Sequence, residues 1–208
     1  MKYITLLLLL AASQVSFGQT DTNVIAIGDW SASVTSGHYP LRGRLLICKP
    51  EPQSNMEKKF GVWNGARVYV ELQIVGDAIS DPTEIFINRF LPMHAEMRDG
   101  HDKPIGGDTN GWHMWDGPVP HQYTVTLPFD STLRLPASTG VGTQNPDVLV
   151  IAVPEQAWSI RLGDTNDYYL SATFSPPTNH PSCLNYHVWQ GTLQLPKLKI
   201  PTAIITKP

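Results

Sequence analysis

Eighteen prolines and 16 glycines break this 208-residue chain every few positions, and between them helical periodicity is almost absent. Proline inside a helix removes a backbone donor and clashes with the preceding turn, so segments this short favour strands and turns. The clearest strand is RVYVELQIV, residues 67–75, where Val68, Val70, Leu72 and Ile74 alternate with Arg67, Tyr69, Glu71 and Gln73. A period of two puts the first set on one sheet face and the second on the other. This strand therefore has a core face and a face that is at least partly wet. The same reading gives strands over residues 41–48, 84–88, 93–98, 122–127, 132–135, 148–153, 158–162, 168–174 and 187–195, with a short one at 197–200. Residues 50–61 read as a loop with room for one helical turn. Turn signals between nearly every pair of strands favour an antiparallel sandwich over a βαβ arrangement.

The first residues, MKYITLLLLLAASQVSFGQT, place Lys2 ahead of an apolar run and end it with the small residues Ser16 and Gly18. A basic head, an apolar core too short to span a bilayer comfortably and a small-residue break describe a secretory signal peptide, cut after Gly18. No cysteine follows the cut, which argues against a lipid anchor. The expectation is a signal peptide at residues 1–18, one domain at 19–202 and a frayed tail at 203–208, exported to the periplasm or the extracellular space. No later apolar run reaches transmembrane length. Net charge is −3, and Lys58-Lys59 is the one basic cluster, so a nucleic-acid partner, which needs many clustered cations, is not expected. In an exported chain Cys48 and Cys183 can pair. Two separately buried thiols are the alternative, because a bridge needs Cα atoms within about 7 Å and sequence does not give that distance.

Residues 97–117, MRDGHDKPIGGDTNGWHMWDG, crowd His101, His113, Asp99, Asp102, Asp108, Asp116, Trp112 and Trp115 into one stretch. Zinc takes imidazole and carboxylate ligands, so a metal-dependent hydrolase would recruit His94, His101 and His113 with Asp99. The competing reading is turn chemistry. His94 falls on the polar side of its strand with Glu96 and Arg98, and Asp99-Gly100 and Asp102-Lys103 suit a tight turn. The EF-hand spacing and the H-E-x-x-H pair are both missing, which favours turns. Trp112 and Trp115, with His113 between them, would stack on a sugar or a protein partner if the 106–120 loop is a contact surface. They would seal one end of the sandwich if it folds back. Trp63, Trp158 and Trp189 read as core or edge packing. Without a G-x-S-x-G elbow, and with Cys48 inside the apolar run LLIC, no nucleophile is assigned; NHPSCLNYH is a weak Cys/His fragment. No catalytic residue and no cofactor is implied.

The stretch GDTNDYYLSATF, residues 163–174, leads a Gly-Asp-Thr-Asn turn into an alternating strand. In immunoglobulin-like sandwiches a tyrosine placed this way bonds its hydroxyl to backbone upstream, a role open to Tyr168 or Tyr169. Taken with VYVELQIVGDA, MHAEMRDGHDKPI, LRLPASTG and WQGTLQLPKLKI, the order of elements resembles the immunoglobulin-like domains of exported bacterial proteins. More distantly it is similar to intracellular proteinase inhibitor-like domains. The resemblance spans residues 41–200 and rests on strand patterning and turns. Gly76-Asp77 and Pro136-Ala137-Ser138 depart from the inhibitor pattern, so no inhibitory residue is carried over. It implies an all-β, antiparallel immunoglobulin-like sandwich. The function expected of it is a non-catalytic binding or interaction module of a bacterial cell envelope, with a protein or carbohydrate ligand.

Overall fold

The computed structural model describes residues 23–76, 83–88, 92–109, 122–127, 129, 131–137, 142–176 and 188–202. In chain order its elements are β1 (Val24–Ile27), β2 (Val34–Ser36), β3 (Tyr39–Cys48), the helix α1 (Asn55–Phe60), β4 (Trp63–Asn64), β5 (Arg67–Ile74), β6 (Thr83–Asn88) and β7 (Met93–Asp99). They continue with β8 (Pro104–Ile105), β9 (Asp108–Thr109), β10 (Gln122–Leu127), β11 (Thr132–Pro136) and β12 (Gly142–Thr143). The last four are β13 (Val148–Val153), β14 (Gln156–Arg161), β15 (Tyr168–Phe174) and β16 (Leu193–Lys199). The described residues are mostly antiparallel β-sheet with almost no helix, consistent with an all-β fold. No helix among the described residues is long and apolar enough to cross a membrane.

The central sheet runs β1-β3-β5-β11, with β2 sharing the β1 side of β3. A second sheet runs β16-β15-β7-β8, β13-β14-β9 forms a third, and β10-β6 and β12-β4 are two-stranded sheets. The alternation read in residues 67–75 decides the packing. Val68, Val70, Leu72 and Ile74 are buried beside Leu41, Leu45 and Ile47 of β3, in one core that also takes Leu170, Phe174, Leu193 and Leu195 from the second sheet. Gly43 packs against Leu195 of the second sheet: a Cβ there would lie 2.8 Å from Leu195 Cδ2 and 3.1 Å from Leu72 Cδ2. Its missing side chain lets β3 and β16 approach.

The last strand departs from the sequence reading. Residues 187–195 do not form one strand: Val188 makes an isolated parallel bridge to Glu84, and β16 spans Leu193–Lys199, straight through Pro196. The pairing of β15 with β16 slips between Leu170–Leu198 and Ala172–Leu195, so Pro196 falls in a bulge. A residue without an N–H is tolerated there because the bulge removes it from the ladder. Pro196, Lys197 and Lys199 also blunt β16 as an edge strand against pairing with other chains.

Tyr168 opens β15 as the alternation predicted, but its hydroxyl donates to the Asp164 Oδ2 carboxylate at 2.6 Å, a side chain rather than backbone. The Asp164 Oδ1 atom accepts the Asn166 N–H at 3.0 Å, closing the turn. The Tyr168 hydroxyl, and then the Asn166 N–H, hold the Asp164 carboxyl below the usual carboxylate range, and the same bond raises the Tyr168 phenol. Because the folded value is depressed, this turn contributes its stability above about pH 4. It loses that contribution as pH falls through the depressed value. In Tyr168→Phe, carboxyl titration followed by NMR should therefore move the Asp164 midpoint upward, while the Asp99 midpoint stays where it was.

Candidate functional site

The β7–β8 hairpin holds the residues that the sequence marked for metal. Asp99 Oδ1 accepts the backbone N–H groups of His101 and Lys103, each at 2.9 Å, and Asp102 takes a left-handed φ of 64°. Both features are turn chemistry. The Asp99 carboxyl is held below its usual range chiefly by the Lys103 N–H. His94 is exposed at the start of β7, with Nδ1 3.8 Å from Glu155 Oε2, and His101 is exposed in the turn at the other end. Five strand residues, about 17 Å, separate the position of His94 from that of Asp99. The two imidazoles are therefore not brought together. Among the described residues no group of three His, Cys, Asp or Glu side chains is placed to hold a metal ion.

Trp112, His113 and Trp115 lie outside the described residues, as does Cys183; Cys48 is buried at the end of β3. The described start of the 106–120 stretch is stitched down. Asp108 and Thr109 pair with Ala157 and Gln156, and the Trp158 indole donates to the Ile105 carbonyl at 3.0 Å. Trp158 and Trp189 are core residues, as their sequence context suggested.

A different cluster emerges on the outer face of the central sheet. Register sets Arg44 beside Glu71 and Glu71 beside Arg134, so residues from β3, β5 and β11 stand in one row. Arg44 Nε donates to Glu71 Oε2 at 2.6 Å and Arg134 Nε donates to Glu71 Oε1 at 2.8 Å. Glu71 was expected on a wet face, yet it is only 2% exposed, because the guanidiniums of both neighbouring strands engage it. One row along, Arg42 donates from Nε and Nη2 to Gln73 Oε1 at 3.1 and 2.8 Å.

Trp30 completes the cluster. The segment after β1 stays pinned to β3: Gly28 N–H bonds the Leu45 carbonyl, Ser31 N–H bonds the Gly43 carbonyl, and Ser31 Oγ accepts the Gly43 N–H. Trp30 therefore sits at the sheet margin, half-buried, with the guanidinium carbons of Arg42 and Arg44 at 4.7 and 4.3 Å from its ring centroid. Cation–π contact and the charge-assisted bonds restrain these arginines. Gln73 is a neutral partner, so Arg42 keeps its positive charge while losing its freedom. None of Trp30, Arg42, Arg44 and Arg134 stood out in the sequence. The available signal was Arg42 and Arg44 two apart in one strand, opposite Glu71 and Gln73 two apart in another.

A groove of about 820 Å³ opens at the seam between β1 and β16, beside the 163–167 turn. Ile27, Asp29, Asp164, Asp167, Lys197 and Lys199 line it. Its charges are mixed and partly self-satisfied, with Lys199 Nζ 2.7 Å from Asp167 Oδ1. Comparison with protein-family models, with curated proteins and with solved structures finds no match for this chain.

Proposed function

We propose that this chain is an exported, non-catalytic binding module of immunoglobulin-like β-sandwich type, acting in the bacterial cell envelope. Its contact surface is the outer face of the central sheet around Trp30, Arg42 and Arg44. The N-terminal pattern of Lys2, an apolar run and Ser16-Phe17-Gly18 supports export through a cleaved signal peptide. Antiparallel sheets sharing one core support the sandwich arrangement.

The observation that carries the binding reading is the fixed pair of guanidiniums against one indole, on a sheet face that takes no part in the core between the sheets. A guanidinium fork matches carboxylate geometry, and a half-buried indole offers apolar surface with a polar edge. An acidic ligand, a uronate-bearing carbohydrate or a carboxylate-rich protein segment, has the complementary chemistry. The chain's net charge of −3 gives no general attraction for such a ligand, so binding would have to come from this patch.

The test compares retention of the protein on an immobilised polyuronate and on its carboxyl-reduced, neutral counterpart. Retention should require the carboxylates, weaken with salt, and fall about tenfold or more in Arg42→Glu, since opposed rim charges each change binding by a kcal/mol or more. Equal retention on both polymers, or no effect of Arg42→Glu, would count against this surface.

A further inference from the structure

Eleven residues after Arg44, α1 combines features that core packing does not explain. Six residues make too short a helix to persist alone in water, yet both its ends are closed. Ser54 Oγ accepts the Glu57 N–H at 3.2 Å, Glu57 Oε2 accepts the Ser54 N–H at 2.6 Å, and Gly61 ends the helix in the left-handed region at φ 63°. Gln53 Nε2 donates to the Val62 carbonyl and Asn64 Nδ2 to the Glu51 carbonyl, fastening the flanks. The chain thus holds a rigid turn of helix that buries none of its own residues.

What the helix displays is unusual for an exposed element. Met56 and Phe60, four apart and therefore on one side of the helix, are 63% and 60% exposed. Lys58 and Lys59 are the sequence's one pair of adjacent basic residues; the Lys59 ammonium lies 5.9 Å from the Phe60 ring centroid, while Lys58, two positions from Met56, projects from the other side of the helix. Glu57, the helix's acidic residue, is engaged by the Ser54 N–H and by the Asn64 side-chain amide.

We infer that α1 is a membrane-surface contact, which sets Met56 and Phe60 into the headgroup boundary of an anionic bilayer while Lys59, beside Phe60, meets the lipid phosphates and Lys58 adds positive charge within a Debye length of them. Apolar side chains beside lysines fit an interfacial helix, whose long cationic stems keep their charge at headgroup level. Met and Phe are also enriched at protein interfaces, but lysine is depleted there, so it is the adjacent lysines that favour a lipid surface. Two apolar side chains and two cations give weak, reversible adsorption that needs negative lipid. The contact shares no residue with the Trp30 cluster, so the two readings stand or fall independently.

The experiment is co-sedimentation of the exported chain with vesicles of phosphatidylcholine alone or mixed with phosphatidylglycerol, at low and high salt. Partitioning onto the anionic vesicles should exceed that onto the neutral ones by about tenfold and should fade with salt. Met56→Ser with Phe60→Ser should lower it about tenfold or more, and Lys58→Glu with Lys59→Glu should abolish the anionic preference. All four positions are exposed, so these variants keep the fold, which an unchanged melting temperature verifies. Wild-type protein left in the supernatant at low salt would overturn the inference, as would partitioning that survives both double variants. Loss in Arg42→Glu, with the α1 variants unaffected, would overturn it too. So would a concentration-dependent dimer that the Met56/Phe60 variant disperses while vesicles retain nothing.

Discussion

Trp189→Ala should destabilise the chain by about 4 kcal/mol, the range for removing a large aromatic from a packed interior. Trp189 is fully buried, and its surroundings show why one side chain matters this much. Its ring stacks near Phe174 of β15 at 6.3 Å between centroids and 17° between planes. Its backbone N–H bonds the Glu84 carbonyl of β6 at 2.9 Å, and its indole reaches the Val34 carbonyl of β2 at 3.4 Å. The residue therefore joins strands from three different sheets, from a segment that belongs to none of them. Gly191 is fitted to the ring: a Cβ there would stand 2.4 Å from Trp189 Cζ2. With neighbours anchored in separate sheets, the hole left by alanine closes poorly, and the cavity cost stays near the upper end. Against a total stability of about 5–15 kcal/mol, such a loss should be evident in urea unfolding as a fall in midpoint at unchanged slope. A loss below about 1 kcal/mol would mean that the three strands collapse onto the space and do not depend on the ring.

Sequence disclosed the sheets better than the site, and particular residues show the reason. In β5 the alternation named the buried set in advance, because a period of two is a local property of consecutive residues. The strands β10, β13 and β15 have the bounds that the sequence suggested, with Asp147 and Pro154 flanking β13 and Asp167 preceding β15. The last strand was misplaced because Pro196 reads as a strand end, and only its position opposite Ser171, in a bulge at a sheet edge, makes it acceptable. The cluster on the central sheet was hidden for a related reason. Arg44, Glu71 and Arg134 are neighbours only through register across three strands, and register is a long-range property that none of the three local patterns carries. Trp30 gave still less signal, standing in an aperiodic segment between Asp29 and Ser31.

That register can be tested through Glu71, whose replacement by leucine should cost about 3 kcal/mol. A buried carboxylate is not itself a source of net stability, since its desolvation offsets much of what the arginines return. Removing it alone is costly because two guanidiniums on neighbouring strands then face the space between them without the anion that drew them together. The figure sits at the low end for a broken buried pair, because the Arg44 and Arg134 side chains are 24% and 35% exposed and water can solvate them in part. Arg44→Met combined with Glu71→Leu should therefore recover much of the loss, and a double-mutant cycle measured in urea should show strong coupling. Additive losses would mean that Glu71 and Arg44 do not share this contact in solution. The same variant bears on binding. Glu71→Leu raises the positive charge of the face, so a surface that attracts acidic ligands by charge alone would bind them more tightly. If fixed guanidiniums are what recognise the ligand, freeing Arg44 from its carboxylate anchor should weaken binding although the charge has grown more favourable. The direction of that change separates preorganised recognition from simple attraction.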